Sequence, residues 1–387
     1  MSLEYFNAVD EAVLLDLDYD GNSIIRYTNT IIAKASKMTT FETTPQSFSR
    51  RNFIERAAVT AGFTGLSAGA LFGQTSQVTE SQGKLPREVW IATVSQHGMS
   101  ADTSEQMVRS ILTVLAKTAA FRPDVICLPE VFMTSYIRER QTLLQGADVS
   151  ARLLKEFTTF ARANQCYLIC PLYTRENGKI YNAAVVIDRQ GNSIGEYRKI
   201  HLPDDEVALG LTPGPLQPPV FQTDFGVIGI QICYDINWNE GWQALRRQGA
   251  EIIFWPSAFA AGQVLNAKAW QNKVVVVSST NKDTSKICDI TGEVVAQTGI
   301  WDRNVICAAV NLEKAFLHLW PFVRRFDEIK AKYGRKVRIT NYHEEEWSII
   351  ESLSPDVRVQ DILDEFELRT HEQLIRDSEE KNAKLRG

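Results

Sequence analysis

Gly226-Val227-Ile228-Gly229-Ile230-Gln231-Ile232-Cys233-Tyr234-Asp235 is the stretch on which the fold turns. It is a short apolar run of strand length that ends on a cysteine and then becomes polar. Two other stretches share this design. Val125-Ile126-Cys127-Leu128-Pro129-Glu130 ends on a carboxylate, and Ile194-Gly195-Glu196-Tyr197-Arg198 runs directly into Lys199. In α/β sheets the carboxyl ends of the strands gather around one crevice, so three residues far apart in the chain meet there.

The sequence around these stretches has the same rhythm. Residues 89–94 read as a buried strand. Residues 103–120, with Met107, Ile111 and Leu115 at helical spacing, read as a helix stopped by Pro123. Residues 151–164 and 239–248 are expected helices, the second closed by Gly249. Residues 166–172, 183–188, 194–197, 251–255 and 274–278 are expected strands, with a turn at Asp188-Arg189-Gln190-Gly191-Asn192. Strands alternating with helices and hairpins predict an α/β layered domain over 88–312, its sheets covered by helices. Beyond it, residues 313–387 read as a charged helical extension. Val359, Ile362, Phe366, Thr370 and Leu374 fall on one helical face there, as either a helix packed on its own domain or an oligomer arm.

Composition bounds the partners. The chain has 387 residues, 44% hydrophobic and 23% charged, with a net charge of −5. That is the balance of a soluble globular protein, and it gives no electrostatic reason to expect nucleic acid. Six cysteines in such a length are too sparse for a disulfide scaffold. Cys127, Cys166 and Cys170 sit inside apolar strand patterns and are expected in the core. No His/Cys/carboxylate spacing fits a metal, and no metal or cofactor is expected.

Ser49-Arg50-Arg51-Asn52-Phe53-Ile54 carries twin arginines followed by an uncharged stretch over 57–73 rich in Ala, Gly and Thr. This resembles a bacterial twin-arginine export signal. We expect 1–48 to be a leader, 49–77 the signal segment and 78–87 a linker. Met38 offers a later start that would remove most of the acidic leader. The expected location is periplasmic or otherwise exported, anchored if the signal stays uncut; a chance pair of arginines on a surface helix would leave the protein cytoplasmic.

Leu128-Pro129-Glu130-Val131-Phe132, Tyr197-Arg198-Lys199-Ile200-His201-Leu202-Pro203 and Gly229-Ile230-Gln231-Ile232-Cys233-Tyr234-Asp235 resemble the three signature segments of the nitrilase-like carbon–nitrogen hydrolases, in the same order and separation. The resemblance covers 88–312 and implies a four-layer α-β-β-α sandwich. It implies Glu130 as base, Lys199 as the positive group and Cys233 as nucleophile, without cofactor. A thiol is weakly ionised at neutral pH and needs such partners. Taken singly, each residue also has a plain structural reading: a buried cysteine, a loop acid, a surface lysine.

Further roles follow from the same resemblance. Glu206 would support the lysine, with Asp204 and Asp205 as competitors in the same acidic loop. The backbone N–H of Tyr234 would be a second donor to an oxyanion. Phe132, Tyr136, Trp238, Ser257 and Phe259 are candidate pocket residues, with core packing the plain alternative for the aromatic ones. His201 is expected in a loop beside the site. Cys233-Tyr234-Asp235, where nitrilases proper usually have Trp-Glu after the cysteine, implies a small-molecule amide or N-carbamoyl substrate. Nitrile hydrolysis, N-acyl transfer and a non-catalytic binding role stay open alternatives. Assembly as a homo-oligomer is expected.

Overall fold

The computed structural model describes residues 85–387, together with the backbone of a two-stranded antiparallel ladder, β1 (Leu15–Leu17) and β2 (Ser23–Ile25). The chain divides into two units, Met1–Val78 and Thr79–Gly387. The twin-arginine segment and Met38 lie outside the described residues.

The second unit is built on two six-stranded sheets. The first contains β3 (Glu88–Val94), β4 (Val125–Cys127), β5 (Tyr167–Glu176), β6 (Lys179–Ile187), β7 (Ser193–Arg198) and β14 (Val305–Asn311), in the order β14-β3-β4-β5-β6-β7. The second contains β8 (Val220–Gln222), β9 (Val227–Ile230), β10 (Ile252–Ser257), β11 (Val275–Thr280), β12 (Lys286–Cys288) and β13 (Val294–Gln297), in the order β13-β12-β11-β10-β9-β8. Each sheet has a parallel centre, β3-β4-β5 in one and β9-β10-β11 in the other, flanked by antiparallel strands.

Period-two alternation sorts the strand residues into layers. Ile91, Val125, Cys127, Ile169 and Val186 of the first sheet share one buried cluster with Ile228, Ile230, Phe254, Val275 and Val277 of the second. Their neighbours point the other way. Ala92, Ile126, Leu168 and Val185 pack under α1 (Ser104–Ala116) and α2 (Leu143–Asn164), against Ile111, Leu115, Leu153 and Phe157. Ile253, Trp255 and Val276 pack under α4 (Glu240–Arg247) and α5 (Gln263–Asn272), against Trp242, Leu245 and Leu265. The result is a four-layer α-β-β-α sandwich. Strands buried on both faces read as continuous apolar runs, which is why they stand out in the sequence.

Several expected bounds shift. The helix expected from residue 151 begins at Leu143, because Thr142 and Gln145 form a reciprocal capping box at its start. The extension over 313–387 is not simply helical. It holds a three-stranded antiparallel sheet of β15 (Lys314–His318), β16 (Val337–Tyr342) and β17 (Trp347–Ser352), in the order β15-β17-β16. With α6 (Phe326–Tyr333) and α7 (Val359–Glu365) it buries a core of its own, including Leu317, Phe326, Ile329, Ile350 and Ile362. Charge hid these strands: Glu351 is buried in β17 but satisfied by Arg338 and Asn311. The expected helical face over 359–374 is also two helices. Glu367 takes a left-handed φ of 52° after α7, and Thr370 caps a new helix, α8 (His371–Arg386).

Candidate active site

Local chain chemistry delivers each side chain. Pro129 follows β4 and cannot extend its ladder, so the chain turns and Glu130 is buried at the strand's carboxyl end. Lys199 lies one residue past β7, where its N–H still bonds to the Asn182 carbonyl at 2.8 Å. Gly214 donates to the Lys199 carbonyl at 2.7 Å, and a Cβ on Gly214 would stand 2.3 Å from the Arg198 carbonyl oxygen. Only glycine permits that approach. Cys233 opens a 3₁₀ turn, Cys233–Asn237, just past β9, with φ at 45°. A non-glycine residue in that region is strained, and such strain clusters at functional sites.

The turn is clasped by Asp235, which is fully buried. Its Oδ2 accepts from the Tyr197 hydroxyl at 2.7 Å and the Ile232 N–H at 3.0 Å. Its Oδ1 accepts from the His201 N–H at 2.8 Å and lies 2.9 Å from His201 Nδ1. The Trp255 indole N–H donates to the Cys233 carbonyl at 3.0 Å. We predict that Asp235→Ala, which strands these donors in the core, lowers unfolding free energy by about 3 kcal/mol or more. Chemical denaturation measures it; a loss below about 1 kcal/mol would contradict the clasp.

Glu130 and Lys199, both buried, form one cluster with the partly buried Glu206. Lys199 Nζ donates to Glu130 Oε1 at 3.0 Å and to Glu206 Oε1 at 2.8 Å. Glu206 comes from the short α3 (Asp204–Ala208), where Asp204 and Asp205 are exposed and Glu206 is not. A fourth member was not anticipated from sequence. Asn182, buried on β6, donates through Nδ2 to Glu130 Oε1 at 2.8 Å and to Glu206 Oε1 at 2.9 Å. Its only sequence signal is one amide bordering the apolar run 183–187. Glu130 Oε2, Glu206 Oε2 and Asn182 Oδ1 are buried and have no hydrogen-bond partner.

The remaining expected residues divide. Ser257 is buried at the end of β10 and accepts from the Phe259 N–H at 3.1 Å. Trp238 stacks on His201 at 3.9 Å between ring centroids and meets Tyr234 edge-on at 5.2 Å. The Tyr234 N–H belongs to the first turn of the 3₁₀ segment, where amides lack an intrahelical acceptor. Phe259 packs edge-on against Trp255. Tyr136 is exposed on a loop. Phe132 is not brought to this cluster: its ring is fully buried under α2 against Phe157, 5.2 Å away.

Residues 91–315 match the carbon–nitrogen hydrolase family. The chain belongs to this family. It is 32% identical to a deaminated glutathione amidase from Synechocystis over 176 residues, which are 40% of this chain and 64% of that protein. The chain therefore spans just under two thirds of that relative. It is 28% identical to an N-carbamoylputrescine amidase from Arabidopsis thaliana over 273 residues, 60% of this chain and 90% of that one. Among solved structures, an amidase from Nesterenkonia sp. superposes with a TM-score of 0.53 at 20% identity, over 60% of this chain and 94% of that one. That likeness shows the fold.

Electrostatics in this carbon–nitrogen hydrolase family member follow from burial and proximity. Burial pushes the Cys233 thiol up to about 12, and the nearby Glu130 charge adds to it; Lys199, the Ala258 N–H and Ser257 pull the other way. Burial alone would lower the Lys199 ammonium, but Glu130, Cys233 and Glu206 together carry it above the ordinary lysine value. Burial raises the Glu206 carboxyl, Lys199 opposes, and the Glu130 charge adds to the rise. Tyr173 on β5 faces the same field: burial, then Glu206 and Glu130, push its hydroxyl up to about 12.

Proposed function

We propose that this chain hydrolyses the carbon–nitrogen bond of a small primary amide or N-carbamoyl compound through a covalent Cys233 thioester or carbamoyl-enzyme. The observation that carries the proposal is the buried Glu130–Lys199–Glu206–Asn182 cluster beside a thiol on a strained turn. Burial keeps the resting thiol protonated, so the proton leaves only as sulfur attacks. Glu130 Oε2 is the unpartnered oxygen that takes it. Lys199 stays charged and, with the Tyr234 N–H, stabilises the oxyanion. Glu130 then returns the proton to the departing amine and activates the water that releases the acyl group.

Three unpartnered buried oxygens favour amide over nitrile. They are acceptors without donors, and the –NH2 of a carboxamide or carbamoyl group offers two N–H donors. A nitrile offers none. The two curated relatives are named for an amide and a carbamoyl substrate, which fits the same chemistry. The test is ammonia release from a panel of primary amides, carbamoyl compounds and nitriles, with Cys233→Ala as control. Amides or carbamoyl compounds should lead the panel; nitriles leading it would reverse the assignment. Product analysis with and without an added amine separates hydrolysis from acyl transfer. Export by the twin-arginine route and homo-oligomeric assembly belong to the same proposal and rest on the sequence. Cell fractionation and light scattering test them.

A further inference from the structure

We infer that Asn182 is a positioning residue for this reaction: its side-chain amide fixes which oxygen of each glutamate faces the reacting groups. The inference rests on the hydrolase assignment above and adds to it a residue that neither the signature segments nor the acidic loop contains.

The geometry is a closed ring of four hydrogen bonds. Lys199 Nζ reaches Glu130 Oε1 at 3.0 Å and Glu206 Oε1 at 2.8 Å, and Asn182 Nδ2 reaches the same two atoms at 2.8 and 2.9 Å. Both donors therefore converge on the Oε1 pair, and both Oε2 atoms are left unpartnered. The terminal torsion of a glutamate is broad and nearly two-fold, so a carboxylate held by one contact can present either oxygen. Held by two donors from different elements, it cannot. Asn182 is on β6 and Lys199 is just past β7, so the two anchors belong to paired strands of one rigid sheet.

The chemistry explains why an amide occupies this position. Two carboxylates share one ammonium, a cluster with a net negative charge in a buried site. A second cation would neutralise the base that must take the thiol proton. A hydroxyl has one proton to donate and could not reach both carboxylates. The amide NH2 supplies two donors with no net charge. Its hydrogen bond also lowers the Glu206 carboxyl against the upward push of burial. Removing it must raise the Glu206 carboxyl further, since donors favour the charged form.

The experiment compares wild type, Asn182→Leu and Asn182→Ser. Two readouts are followed against pH: kcat and KM for the most active amide of the panel, and the rate of Cys233 alkylation by iodoacetamide, mapped by peptide mass spectrometry. Leucine keeps the branched heavy-atom shape and removes both donors. Serine is small, adds no charge and has too few donors to hold both carboxylates, so it covers the case in which leucine disturbs folding. We expect kcat to fall on the order of 10²-fold from the loss of positioning, with KM changed less than about fivefold. We expect the acid limb of both profiles to move upward in both variants. A purely structural role would lower Tm and leave the acid limb where it is, which overturns the inference. Wild-type kcat and acid limb in either folded variant overturn it as well. Cys233→Ala runs alongside: if that variant still releases ammonia at the wild-type rate, the hydrolase assignment itself fails, a different outcome from a silent Asn182.

Discussion

Cys233→Ala is expected to abolish ammonia release, by about 10⁴-fold or more, while leaving the fold intact. The size of the loss follows from what is removed. Without sulfur there is no covalent intermediate, and the remaining donors can only bind and polarise the substrate. The fold is expected to survive because the thiol is small and the turn is held by other groups. Asp235 gathers Tyr197, Ile232 and His201, and Trp255 holds the Cys233 carbonyl. Alanine must still adopt the φ of 45°, a strain the turn already carries with cysteine. Thermal unfolding should therefore move by no more than about 3 °C, the scale of a 1 kcal/mol change in a domain of this size. A large loss of Tm together with the loss of activity would mean that the thiol is structural.

Lys199→Met has the second-largest expected effect, and it strikes both activity and stability. Methionine has a similar length and no charge. Its loss removes the stabiliser of the oxyanion, typically worth 10²–10³ in rate. It also leaves the buried Glu130 and the partly buried Glu206 together with only Asn182 between them. Breaking one side of a buried ion pair typically costs about 3–5 kcal/mol. The sign of the pH dependence follows from Glu206, whose carboxyl is already raised above its ordinary value of 4.5 by burial and the Glu130 charge. Without the opposing lysine it rises further. A carboxyl with a raised folded pKa contributes stability below the unfolded value and loses it as pH rises through the folded value. The variant's deficit should therefore be smallest near pH 4 and grow toward neutrality. Denaturation of both proteins across pH 4–8 measures this. A deficit that is flat or shrinks with rising pH would contradict the cluster's charge assignment.

The apolar runs revealed a layered α/β domain and the three strand-end residues for one physical reason, while the four-layer arrangement was implied by the family resemblance. Strands buried on both faces are uniformly apolar, so a carboxylate, lysine or cysteine at their ends breaks the pattern. Elements that do not bury both faces this way were harder to read. The inner face of α5 carries Lys268 and Asn272 among its buried residues, which disguises the helical period. The outer strand β13 is half-exposed, and its edge position gives little apolar signal. In the C-terminal sheet, Arg338 and Glu351 pair across β16 and β17, so charges read as part of a helical extension are partners in a sheet.

The candidate site divides the same way. Lys199 bonds to Glu130, which the signature segments contain, and to Glu206 from the acidic loop that follows the second of them. Asn182 and Tyr173 left no pattern, because one amide or one tyrosine in a strand says nothing about what faces it. Phe132 shows the opposite failure. It follows Glu130 closely in sequence, but the turn after Pro129 sends its ring under α2.

Trapping the covalent intermediate tests the nucleophile most directly. Enzyme turning over its best amide is quenched in acid, digested and examined by mass spectrometry. The Cys233 peptide should carry the acyl group of the substrate, or a carbamoyl group from a carbamoyl substrate, and the adduct should be absent from Cys233→Ala. Steady ammonia release with an unmodified Cys233 peptide, or with the adduct on another residue, would contradict the mechanism.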